Sequence, residues 1–305
     1  MGRLFGTDGI LGIANRDLSI QRSAQVGQAL ATVLRERLGD KKPRVFIGKD
    51  TRLSSDMIEA ALAAGLCAGG ADCVSLGVVP TPAVAYLTVA HGMDAGVMIS
   101  ASHNPFHFNG IKIFGSKGYK LTDDQEAEIE DMILDDAIPM HKAEAGEIGR
   151  YSQGTGLAEE YIRHIAATLP GEKPLRGMRV LADCANGSAS RTAKELFALL
   201  GAEADVICRE PDGVNVNRDC GSTHMESLRQ RVKAGGYALG VAFDGDADRC
   251  LAVDEKGELV DGDQMIAIFA TRMKEKGTLK KNAAVVTVMS NYGFMNFARQ
   301  SGIDV

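Results

Sequence analysis

The six cysteines (Cys67, Cys73, Cys184, Cys208, Cys220 and Cys250) include no C-x-x-C pair. Thiols scattered in this way predict reduced, mostly structural residues of a cytosolic protein. No apolar stretch approaches the length of about 20 residues that a membrane helix needs. The opening MGRLFGTDGI has no apolar core of a signal peptide. It also has Gly6 where N-myristoylation requires Ser or Thr. Excess positive charge is missing as well. The formal net charge is −6, which offers nucleic acid or an anionic membrane no electrostatic reason to bind. Neither a G-x-S-x-G elbow nor a Walker or Rossmann fingerprint occurs. A soluble, cytoplasmic protein is expected, with neither nucleic acid nor membrane as partner.

What is present is an ordinary globular composition, 45% hydrophobic and 24% charged, in 305 residues. That length suits two or three domains. A β–loop–α–Gly–β unit recurs. The first runs through a strand at 44–50, a helix at 54–68, Gly70 and a strand at 72–76. The second has a strand at 179–183, a helix at 189–200, Gly201 and a strand at 204–208. The third starts with a strand at 284–289 and a helix at 292–300, and Gly302 leads into 303–305. Apolar strands joined by helical crossovers predict parallel sheets in α/β layers. The expectation is tandem three-layer α/β domains of related topology: 1–150, 151–255 and an incomplete third at 256–305. Between the first two units, a helix is expected after Thr122 and Asp123, with Glu126 completing a capping box.

Two loops carry chemistry. DGDADR, Asp244 to Arg249, lies between two strand-like runs. Its carboxylates Asp244, Asp246 and Asp248 repel one another unless a cation intervenes, and hard oxygen donors suit Mg²⁺ or Ca²⁺. An EF-hand is disfavoured, because Arg249 stands where that loop needs Gly and the flanks are strands. The second loop lies in VMISASHNPFHFNGIKIF, Val97 to Phe114, and holds Ser102, His103 and, in the following strand, Lys112. On an extended chain Ser102 and His103 point to opposite faces, which argues against a direct dyad. A serine that carries a phosphoryl group is the better use. It needs a metal, a cation near the bridging oxygen and a proton carrier. The acidic loop supplies the first; Arg249, Lys112 and His103 can supply the others. Asp50-Thr51-Arg52 is read as a loop leading into a helix, and 183–188 as a plain connection.

Together, ISASHNP, NGIK, FDGDADR and GTDGI resemble the α-D-phosphohexomutases. MGRLFGTDGI, SASHNP and TVMSNYGF look most like the members that interconvert glucosamine 6-phosphate and glucosamine 1-phosphate on the route to cell-wall precursors. The resemblance implies three related α/β domains and a smaller fourth, the last absent here. It implies phosphorylation of Ser102 and one Mg²⁺ held by Asp244, Asp246, Asp248 and the phosphoserine. His103 and Lys112 match proton-transfer residues, and Arg249 matches the arginine that steadies the phosphoryl group. A phosphosugar substrate and a hexosamine or hexose 1,6-bisphosphate activator follow. Phosphomannomutase or phosphoglucomutase activity is an alternative, as is a non-catalytic binding or regulatory protein. Dimerisation through the first domain is consistent with the resemblance alone.

The sequence departs from the family pattern in three ways. Leu11 replaces an arginine that lies by the family's active site, so slower phosphoryl transfer is expected, unless Leu11 packs harmlessly and another cation substitutes. Ala247 replaces a commoner Gly, which is acceptable if its φ is negative. The family's sugar-recognition and phosphate-clamping loops fall beyond Val305, so weak turnover of the isolated chain is expected.

Overall fold

A computed structural model describes residues 4–7, 9–135 and 138–305. Its first sheet contains β1 (Phe5–Gly6), β2 (Gly9–Ile13), β3 (Arg44–Lys49), β4 (Asp72–Val78), β5 (Ala95–Ile99), β6 (Phe108–Gly115) and β7 (Tyr151–Gln153). Their order is β1-β2-β6-β5-β3-β4-β7. Helices α1 (Ile20–Leu38), α2 (Ser55–Ala68) and α4 (Asp123–Leu134) cover one face; α3 (Thr81–Ala90) and α5 (Leu157–Ala166) cover the other. Period-two alternation builds both layers. Val45, Ile47, Val97 and Ile99 enter the core under α1 and α2, whereas Phe46 and Met98 pack towards α3.

The second sheet has the order β12-β11-β10-β8-β9. It comprises β8 (Arg179–Asp183), β9 (Glu203–Ile207), β10 (Leu239–Phe243), β11 (Cys250–Asp254) and β12 (Leu259–Val260). Helix α6 (Ala193–Leu200) packs on Val180, Ala182 and Val241, and α7 (Glu226–Gly235) packs on Leu181, Ala242 and Val253. In each sheet three parallel strands are followed by an antiparallel one. β3 pairs in parallel with β4 and β5, and β6 runs against β5. Likewise β8 pairs in parallel with β9 and β10, and β11 runs against β10. The sheets are therefore mixed, where the crossovers alone predicted parallel ones. The final strands return by a loop too short for a crossover.

Three local expectations change. The capping box of α4 is closed by Thr122 and Gln125, not by Glu126. Glu126 is buried and paired with Lys120 instead. Helix 189–200 begins later, at Ala193, after a separate 3₁₀ turn at Ser188–Arg191. The strand expected at 284–289 does not form. Ala283 makes a single bridge to Asp304, and Val285 and Val288 are almost fully exposed. An apolar run becomes a strand only where a neighbour takes up its backbone groups, and among the described residues only Ala284 N finds one, Asp304 O at 2.8 Å. Helices α8 (Gly262–Glu275) and α9 (Tyr292–Gln300) still enclose a small core of Ala270, Phe294, Ala298 and Ile303.

Candidate active site

Both chemistry-bearing loops occupy the same place in the repeated unit, the connection from the third parallel strand to the antiparallel one. Ser102 lies between β5 and β6; Asp244, Asp246 and Asp248 lie between β10 and β11. The loops meet at the C-terminal ends of the parallel strands, where open α/β sheets place their ligands. Ser102 Oγ donates to Asp244 Oδ2 at 2.6 Å, joining residues 142 positions apart. Ser102 has φ of 52° and sits in a turn, so the extended geometry assumed from sequence does not hold. His103 turns to Arg249, with Nδ1 2.8 Å from a guanidinium nitrogen. A guanidinium only donates, so this ring nitrogen accepts and carries no proton.

Strand alternation delivers Lys112. Its neighbours Ile111 and Ile113 face the α1 side, which sends Lys112 to the α3 side. There its Nζ meets Asp246 Oδ2 at 2.6 Å and Asp248 Oδ2 at 3.4 Å. Burial works against the ammonium, but Asp246 and then Asp248 outweigh it and raise the Lys112 pKa above the ordinary lysine value. Burial, and next the Asp246 charge, pushes Asp244 up to about 6.

Asp244, Asp246 and Asp248 bring one carboxylate oxygen each within 4.8 Å of one another. Asp244 and Asp246 are fully buried, which rules out a merely solvated acidic turn. Asp246 Oδ2 accepts from Lys112 and from Thr81 Oγ1, the latter at 2.5 Å. Asp246 Oδ1, equally buried, has no hydrogen-bond partner among the described residues. A buried carboxylate oxygen left bare costs free energy unless something bonds it. Three hard oxygens with one unspent acceptor fit a Mg²⁺ ion.

Several residues read as structural hold the site together. Arg52 is wholly buried and uses all five N–H groups. Nε bonds Asp50; the terminal nitrogens bond the carbonyls of Ser102, Asn104, Pro105 and Phe108. The serine loop is thus wrapped around one guanidinium. Asn217 Nδ2 donates to Ser102 O at 2.9 Å. Ser188 N donates to Gly245 O at 2.8 Å, so the 183–188 connection braces the acidic loop. No sequence motif announced Arg52, Thr81 or Asn217 as site residues, because their partners are backbone groups and distant loops.

The departures also find places. Ala247 has φ of +53°, not the negative value that would make it harmless. Leu11 lies on β2 opposite Gly110 and remains 51% exposed, so it does not join the core.

Comparison with known proteins places this geometry. Family profiles for phosphoglucomutase/phosphomannomutase α/β/α domains I, II and III match residues 2–138, 159–257 and 261–305. Phosphoglucosamine mutase of Acetivibrio thermocellus is 50% identical over 305 residues, covering 100% of this chain and 67% of its own length. The enzyme of the same name from Caldicellulosiruptor bescii is 49% identical over 308 residues, with the same coverage. A crystal structure of a phosphoglucomutase/phosphomannomutase family protein from Burkholderia thailandensis superposes with a TM-score of 0.81 at 27% identity, over 99% of this chain and 65% of that one. The chain thus spans about two thirds of the length of these relatives. Such relatives are enzymes, and the expectation of a non-catalytic derivative finds no support among them. With matches to three successive domains of one family and a site assembled from the first two, the chain belongs to the phosphoglucomutase/phosphomannomutase family, the α-D-phosphohexomutases.

Proposed function

We propose that the protein is a cytoplasmic phosphoglucosamine mutase that interconverts glucosamine 6-phosphate and glucosamine 1-phosphate through a phosphoserine and a 1,6-bisphosphate. The observation that carries this reading is the contact of Ser102 Oγ with Asp244 at 2.6 Å, which sets the serine hydroxyl on the edge of a three-carboxylate cluster. The amino-sugar specificity rests on relatives that are half identical across the whole chain. The segments 1–150, 151–255 and 256–305 serve as its domains, with β7 lent by the second segment to the first sheet.

In this reading Ser102 Oγ carries the phosphoryl group. Transfer breaks the Oγ–P bond and forms a bond from phosphorus to the free hydroxyl oxygen of the sugar. Lys112, held charged by Asp246 and Asp248, donates to Oγ as the phosphoryl group leaves. Arg249 turns from His103 to the phosphoryl oxygens, and the vacated Nδ1 takes the proton of the sugar hydroxyl. Mg²⁺ bound by Asp244, Asp246, Asp248 and the serine-borne phosphate supplies positive charge against the phosphoryl group. The reverse transfer, with the bisphosphate turned round, restores the phosphoserine.

Incubation with glucose 1,6-bisphosphate and Mg²⁺, followed by intact-mass and peptide analysis, tests the donor half of this scheme. One added phosphoryl group on Ser102 is expected, and none in Ser102→Ala. Phosphate appearing elsewhere, or equally in Ser102→Ala, would sink the proposal. Conversion of glucosamine 6-phosphate in preference to mannose or glucose 6-phosphate tests the choice of sugar.

A further inference from the structure

At the same end of the second sheet, Asp183, Cys208 and Cys220 converge. Two Sγ atoms and a carboxylate oxygen lie within 4.8 Å of one another. Asp183 ends β8, Cys208 follows β9, and Cys220 lies twelve residues further along the same loop. We propose that these three residues form a second cation site, for a thiophilic divalent ion of the zinc class.

Zinc–sulfur bonds of about 2.3 Å in a tetrahedral site separate donor atoms by roughly 3.8 Å. A contraction of about 1 Å at most would therefore bring the three donors onto one ion. The carboxylate is already oriented. Asp183 Oδ1 accepts from Ala185 N at 2.9 Å and Oδ2 from Gly221 N at 3.0 Å. Each oxygen keeps a lone pair for a metal, and ligating carboxylates are commonly held this way. Asp183 and Cys220 are buried, while Cys208 is half-buried and opens the site to solvent for an arriving ion and a fourth ligand.

Donor chemistry keeps the two sites apart. Sulfur selects zinc-class ions, and the all-oxygen cluster at Asp244 selects magnesium. An ion at Cys208 and Cys220 would staple both ends of the 208–220 loop to β8. That loop carries Asn217, whose amide holds the Ser102 carbonyl. Occupancy would therefore stiffen the wall of the phosphoserine loop without touching the reacting atoms.

Cobalt(II) is the probe, added to reduced, chelator-treated protein in saturating Mg²⁺. One equivalent should give a sulfur-to-cobalt charge-transfer band in the near ultraviolet and raise Tm, and zinc should abolish the band. Cys208→Ser should lose both effects. Cys67→Ser should keep both, although Cys67 lies 3.8 Å from Cys73 and could mimic the site. Absence of the band, its survival in Cys208→Ser, or its loss in Cys67→Ser overturns the proposal. Should Cys208→Ser fail to fold, the unaltered chain decides: zinc must slow alkylation of Cys208 but not of Cys67, read by peptide mass.

Discussion

Arg52 shows how much one side chain can organise. Five donors in a planar fork meet Asp50 and four loop carbonyls around a fully buried side chain. Lysine has three donors and no fork, so Arg52→Lys leaves carbonyls bare at about 1–3 kcal/mol each. A urea midpoint lowered by roughly 3 kcal/mol equivalent is expected, with weaker Ser102 phosphorylation in the protein that remains folded. A stability equal to the parent's would show that the loop holds itself. Ala247 tests the opposite sign. A left-handed backbone costs an L-residue about 1–2 kcal/mol, and glycine returns part of that through its looser unfolded chain. Ala247→Gly is expected to gain roughly 0.5 kcal/mol in thermal or urea unfolding. A loss of stability would mean that the Ala247 methyl contributes more by packing against the β8–α6 core than its backbone strain costs.

Elements explain why the chemistry sits where it does. Each of the two sheets has one loop at the C-terminal end of its third parallel strand, and these loops bear Ser102 and the three aspartates of the candidate site. Apposing two such loops requires their backbones to touch. A Cβ at Gly245 would lie 2.6 Å from Ser102 O, closer than side chains approach. Gly245→Ala must therefore wedge the serine loop away from the acidic loop. Displacement of about 1 Å can cost around a hundredfold in rate. Phosphoryl transfer to Ser102 should fall by at least about tenfold. Circular dichroism and Tm should change little, because the sheets lie outside the contact. An unaltered transfer rate would show that the loops need not touch. The region 284–289 illustrates the other side of element formation: its apolar residues have strand character, but among the described residues no strand pairs with them beyond the bond from Ala284 N to Asp304 O.

On the scale of the whole molecule, the two units are latched through the site itself. Thr81 starts α3 of the first unit and reaches Asp246 of the second by both backbone and hydroxyl. Thr51 Oγ1 donates to Asn186 O, and Leu53 N to Gly213 O, along the same seam. Relative placement of the units is thus coupled to the carboxylate cluster. Thr81→Val keeps the shape but removes a donor that orients Asp246. Losing an orienting partner of this kind typically costs about 10–100-fold in metal affinity. The Mg²⁺ concentration for half-maximal Ser102 phosphorylation should rise by about tenfold or more, with full extent recovered at high Mg²⁺. A fall in extent alone, without a shift in the Mg²⁺ midpoint, would contradict this role.

Much of the molecule is written locally. Period-two strands, helix caps and glycine stops define the repeated β–α–β units, and residue type draws out Ser102, Lys112 and the three aspartates as candidate chemical groups. These are decided by neighbours a few residues apart, so the sequence by itself determined them. It could not determine Arg52, Thr81 and Asn217 as site residues, the left-handed backbone of Ser102 and Ala247, or the pairing of His103 with Arg249. Nor could it set Asp183 beside two cysteines, or decide that 284–289 would lack a strand partner. Each of those depends on backbone carbonyls, buried charges or sheet edges brought together across many tens of residues. Only the tertiary structure decides such contacts, because a hydrogen bond or a close approach has no signature until both partners have a place in space.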